Sequence, residues 1–119
     1  MINAANVVVD LETLDVCPRA IILAVGAVAV VNGSTHHFYQ NISQSDQPGR
    51  TSSVSTLEFW ALEENTEART HLVPNQVTLT EGFNLFNDWV SKLGAPKKDI
   101  VVWGNSSDFD IAMWRDVNQ

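Results

Sequence analysis

Two acidic clusters, one near each end of the chain, carry the chemistry that these side chains could perform. The first is Asp10-Leu11-Glu12-Thr13, directly behind the apolar run Val7-Val8-Val9. The second is Asn105-Ser106-Ser107-Asp108-Phe109-Asp110, behind Val101-Val102-Trp103-Gly104. In an extended chain residues two apart project to the same side, so Asp10 and Glu12 stand together with Cα atoms about 7 Å apart. Two like charges so placed repel each other. A divalent cation between them removes the repulsion, and a ligand set made only of oxygens favours Mg2+ or Mn2+ over zinc. A strand also ends in acids simply where the chain emerges into water, so the pair gains weight only when a third acid arrives from elsewhere. The second cluster offers two, Asp108 and Asp110.

Other reactive groups are sparse. Cys17 has no histidine and base pattern around it and reads as structural; as the single cysteine it excludes an internal disulfide. His36 and His37 are adjacent in a strand-like segment and so face opposite ways, which prevents easy sharing of one metal. There is no Gly-rich phosphate loop and no Gly-x-Ser-x-Gly elbow.

The elements that must position the clusters follow from periodicity. Val7 to Val9 predicts a short strand buried on both faces, and Ala20 to Val31 a long second strand of apolar or small residues. Asn32-Gly33 between strand-like segments predicts a type I′ hairpin, with Thr35 to Ile42 as the third strand. Ser43 to Ser55 is a polar surface loop. Ser55 or Thr56 then caps a helix from Leu57 to about Arg69, with Glu58 in its first turn. A second helix follows Thr80-Glu81-Gly82, where Phe83, Leu85, Phe86, Trp89, Val90 and Leu93 recur at helical spacing. Ile100 to Trp103 forms a fourth strand with Trp103 in the core, and a last helix starts near Ser107. An antiparallel three-strand meander, a helical crossover and a strand parallel to the first describe an α/β mixed sheet with flanking helices. Such a crossover would bring the second cluster beside Asp10 and Glu12, at strand C-terminal ends.

Composition bounds the remaining possibilities. At 119 residues, 45% apolar and 18% charged, the chain is one ordinary globular domain. Fourteen acidic against seven basic residues give a formal charge of -7, which opposes non-specific attraction to nucleic acid or an anionic membrane. A nuclease is less affected, because bound metal neutralises its acids. The longest apolar run, 20–31, is far short of a membrane span, and no signal peptide is visible, so a cytoplasmic location is expected.

With these residues placed, the chain resembles the DEDD family of 3′-5′ exonucleases, which have the ribonuclease H-like fold and include ribonuclease T-like enzymes. Asp10-Leu11-Glu12-Thr13 is similar to the family's first motif, and Asn105-Ser106-Ser107-Asp108-Phe109-Asp110 to its second. Thr56-Leu57-Glu58-Phe59-Trp60 and Glu67-Ala68-Arg69 extend the likeness toward a bacterial and phage subgroup. The resemblance implies that Asp10, Glu12 and Asp110 hold two Mg2+ or Mn2+ ions for phosphodiester hydrolysis, Asp110 being favoured over Asp108. Thr13, Asn105 and Phe109 would contact the 3′ end of single-stranded DNA or RNA, and a nucleoside 5′-monophosphate would leave. The family's third motif, a His or Tyr four to five residues before a final Asp, has no counterpart before Gln119. The expectation is therefore a C-terminally truncated domain with lowered activity and apolar surface that a second copy could cover. The alternative is a catalytically inactive relic or oligomerising interaction domain of the same fold.

Overall fold

In the computed structural model, which describes residues 5–104, the valine-rich segments form the centre of a four-stranded sheet. Strand β1 (Ala5–Thr13), β2 (Ile22–Val31) and β3 (Ser34–Asn41) make the antiparallel meander. The β2–β3 turn has positive φ at both Asn32 (50°) and Gly33 (80°), the geometry that Asn-Gly tolerates best. After helices α1 (Val54–Ala61), α2 (Thr66–Thr70) and α3 (Leu79–Ser91), strand β4 (Ile100–Gly104) returns parallel to β1. The order is β3-β2-β1-β4, the mixed sheet expected from the sequence.

The core lies on one face of this sheet. Val7, Val9, Val25 and Ala27 meet Phe83 and Phe86 of α3, and Phe38 and Trp89 close the cluster around Phe86. Gly82 lets the helix approach: a Cβ there would collide with Cδ1 of the buried Ile42. Leu85, although in phase with the apolar positions by composition, is 41% exposed.

Two expectations about this sheet are corrected. β1 is not buried on both faces but alternates, with Asn6, Val8 and Asp10 exposed between buried Val7, Val9 and Leu11. Trp103 is not in the core: it is 55% exposed on the face opposite α3, where its indole N–H donates to Asn6 Oδ1 at 3.3 Å. An unbroken valine run satisfies a one-faced and a two-faced strand equally, and only the location of the helices decides between them. The expected helix 57–69 is also two pieces, and its cap is Ser53, whose hydroxyl accepts from Thr56 N. The chain turns at Leu62 and passes through a 3-10 turn (Glu63–Asn65) before α2.

The polar loop after β3 is tied down more firmly than its composition suggests. Gln47 is buried, and its side-chain amide pairs with Ile22 as a neighbouring strand would: Oε1 accepts from Ile22 N at 2.8 Å, while Nε2 donates to Ile22 O at 2.6 Å and Ser43 O at 3.0 Å. Gln47→Ala deletes all three bonds at a buried amide. A buried polar group left unpaired costs about 1–3 kcal/mol, so unfolding in urea should show a loss of roughly 2–3 kcal/mol.

Candidate functional site

At the C-terminal end of β1 the alternation that buries Val9, Leu11 and Thr13 turns Asp10 and Glu12 to the other face. Their partners on β2 are small, Gly26 opposite Asp10 and the fully buried Ala24 opposite Glu12. Gly26 is in turn opposite Tyr39, whose ring edge would lie 3.8 Å from a Cβ at that position. Asp10, Gly26 and Tyr39 therefore form one row across the sheet. Burial, and secondly the negative charge of Glu12, push the Tyr39 phenol above its ordinary range. Its hydroxyl donates to Asn41 Oδ1 at 2.5 Å. His36 and His37 occupy opposite faces of β3, paired with Ala29 and Val28, as expected of neighbours in a strand.

β4 runs alongside β1 until Val9 pairs with Gly104. The next residue on β1 is Asp10, and the next after β4 is Asn105. Asn105, Asp108, Phe109 and Asp110 lie outside the described residues. Among the described residues, no three His, Cys, Asp or Glu side chains gather that could hold a metal ion. Asp10 and Glu12 are thus an oxygen-only pair of carboxylates on one face. That donor set fits part of the shell of a hard divalent cation and fits zinc poorly.

Beyond Glu12 the β1–β2 register shifts: Glu12 pairs with Ala24 but Thr13 with Ile22, so β2 spends one residue more at this point. Such irregularities re-aim side chains at the ends of sheets. Thr13 is buried, its hydroxyl donates to Asp15 O at 2.8 Å, and its carbonyl accepts from Trp60 Nε1 at 2.8 Å. Between this strand end and α1 lies a cleft of about 330 Å3 lined by Glu12, Thr13, Val16, Phe59 and Trp60. Phe59 is half exposed in this cleft and meets Trp60 edge to face at 5.4 Å.

That Phe59 and Trp60 line this cleft is not legible in the sequence, because an aromatic pair in a short helix reads as core. Outside the site, in the loop after β1, the sequence also does not disclose the partners of Asp15. This carboxylate accepts from Thr51 Oγ1 at 2.5 Å and Val16 N at 2.8 Å, and the Cys17 thiol lies 3.5 Å away. The Thr51 hydroxyl first, and then the Val16 N–H, hold it below its ordinary value of 3.8. A carboxyl depressed on folding stabilises the fold above the unfolded value, and that contribution is lost as pH falls through the folded one. Stability measured across the acid range below pH 5 should therefore fall less steeply for Asp15→Asn than for the wild type.

Residues 5–119 match the sequence profile of a family described as the 3′-5′ exoribonuclease Rv2179c-like domain. Among solved structures, cell-death related nuclease 4 (CRN-4) superposes with a TM-score of 0.56 at 14% identity, over 88% of this chain and 36% of that one. The likeness identifies the α/β fold as ribonuclease H-like, and the chain spans little more than a third of the length of that neighbour. No curated protein matches the sequence. Among the described residues no helix is long and apolar enough to cross a membrane.

Proposed function

Because the chain belongs to the family of Rv2179c-like 3′-5′ exoribonuclease domains, we propose that it removes nucleotides from the 3′ end of single-stranded RNA, with Asp10, Glu12 and Asp110 as its metal-holding carboxylates. The observation that carries this reading is the placement of Asp10 and Glu12 on one face at the end of β1, beside a parallel strand that ends at Gly104, one residue before the second acidic motif. Two Mg2+ or Mn2+ ions held there would supply an activated water and neutralise charge on the leaving 3′ oxygen. The overall charge of -7 opposes the approach of a polyanion, and such neutralisation would relieve part of that repulsion at the site.

The chain's own groups then orient the terminal nucleotide. Glu12, which lines the cleft as well as the carboxylate pair, accepts a hydrogen bond from a sugar hydroxyl, and Thr13 contacts the nucleotide through its main chain. Phe59 offers a ring face on which any base can stack, an interaction of roughly 1–3 kcal/mol. Asn105 and Phe109, opening the second motif, contact the same nucleotide. Hydrolysis breaks the bond between phosphorus and the 3′ oxygen of the preceding nucleotide. Hydroxide from water adds to phosphorus, a proton passes to the departing 3′ oxygen, and a nucleoside 5′-monophosphate is released.

A second reading, a non-catalytic domain that self-associates, is favoured by the half-exposed Val8, Val28, Val30 and Trp103 on the face opposite α3. One assay separates the two. A 5′-labelled single-stranded RNA incubated with the chain and Mg2+ or Mn2+ should give a ladder shortened from the 3′ end, abolished by chelator. RNA that stays full length with either metal, together with a dimeric elution volume, would support the second reading and overturn the first.

A further inference from the structure

None of the eight residues of α1 is buried, so packing against the core does not fix where this helix lies. Two hydrogen bonds to the end of β1 do. Ser53 N, at the helix cap, donates to Leu14 O at 2.9 Å, and Trp60 Nε1, one residue from the other end, donates to Thr13 O at 2.8 Å. The second bond falls where the β1–β2 register shifts, one residue beyond Glu12. The C-terminal carbonyls of α1 are held in turn by Arg69, whose guanidinium donates to Trp60 O and Leu62 O and to Thr66 Oγ1. A chain of contacts thus runs from α2 through Trp60 to the strand end that carries Glu12.

We infer that Trp60 is a positioning residue: its indole N–H fixes α1 against Thr13, so that Phe59 and Glu12 face one cleft that takes a nucleoside 5′-monophosphate. The inference rests on the exonuclease reading, whose product is that ligand. The cleft, at about 330 Å3, falls at the lower end of the roughly 300–1,000 Å3 typical of small-molecule sites. The N–H, and not the ring area, is the operative feature. Trp60→Phe keeps an aromatic ring in place while removing the donor together with part of the ring.

The experiment uses the 119-residue chain, adenosine 5′-monophosphate with Mg2+ as the probe, calorimetry for affinity and amide hydrogen exchange for the helix. One neutral hydrogen bond contributes a net 0.5–1.5 kcal/mol, which corresponds to a factor of about 2 to 10. Trp60→Phe should speed exchange across residues 54–61 by about that factor, leave protection in β1 and β2 unchanged and weaken nucleotide binding by a similar factor. Unchanged affinity, or unchanged exchange in α1, would overturn the inference. Should Trp60→Phe lose protection throughout the sheet, Arg69→Ala serves in its place. Arg69 is only half buried, and releasing the Trp60 carbonyl should loosen α1 and weaken binding in the same direction. No change in either reading for Arg69→Ala would then count against the inference. A wild-type chain that binds no nucleotide defeats the exonuclease reading and this inference together, whereas equal binding by wild type and Trp60→Phe defeats the inference alone.

Discussion

Asp10→Ala should slow 3′ shortening of a labelled RNA by more than about 100-fold in saturating Mg2+. Removing a group that merely orients a metal ligand typically costs 10- to 100-fold in affinity or activity, and Asp10 is proposed as a ligand itself. The side chain is exposed on the face away from α3, and β1 is held in the sheet by its backbone, so the fold should survive the change. A second readout needs no substrate. A metal that binds only the folded state stabilises it by about 2.7 kcal/mol at a hundredfold excess over its dissociation constant. Wild-type protein should therefore melt higher in Mg2+ than in chelator, and Asp10→Ala should not. Equal shortening by both proteins, with equal Mg2+-dependent shifts in melting, would remove Asp10 from the site.

How far the sequence discloses this arrangement depends on whether the deciding interaction is local. Asn32-Gly33 fixes its own turn through backbone conformation, and the φ values of 50° and 80° follow from two residues alone. The alternation that turns Asp10 and Glu12 to one face is likewise a property of any extended chain, so the carboxylate pair was legible. The parallel β1–β4 pairing followed from topology, since a strand returning after helical crossover has few other places to go. What was not legible is set by partners far along the chain. Trp103 looks like core until its place on the face opposite α3 is known, and Trp60 looks like core until its indole is found on the Thr13 carbonyl, 47 residues away. The break at Leu62 has no Gly or Pro to announce it. Arg69, folding back on the Trp60 and Leu62 carbonyls, satisfies there what a continuous helix would have satisfied itself.

Phe86→Ala should cost about 3–5 kcal/mol of stability, the range for deleting a fully buried aromatic ring. Phe86 is 0% exposed and contacts three other rings: Phe38 edge to face at 5.6 Å, Trp89 at 5.9 Å and Phe83 at 6.2 Å. Alanine suits the helix, so the loss reports packing and not helix propensity. Domains of this size are stable by about 5–15 kcal/mol, which makes the change large enough to populate the unfolded state. Phe59→Ala is the informative contrast. The same ring is deleted from a half-exposed position in the cleft, so stability should shift by no more than about 1 kcal/mol while affinity for adenosine 5′-monophosphate falls. Urea denaturation of the two variants thus separates a ring that holds α3 to the sheet from a ring that meets the ligand. A Phe86→Ala midpoint indistinguishable from wild type would mean that α3 does not lie on Val7 and Val9, and the buried face that turns Asp10 and Glu12 outward would lose its physical basis.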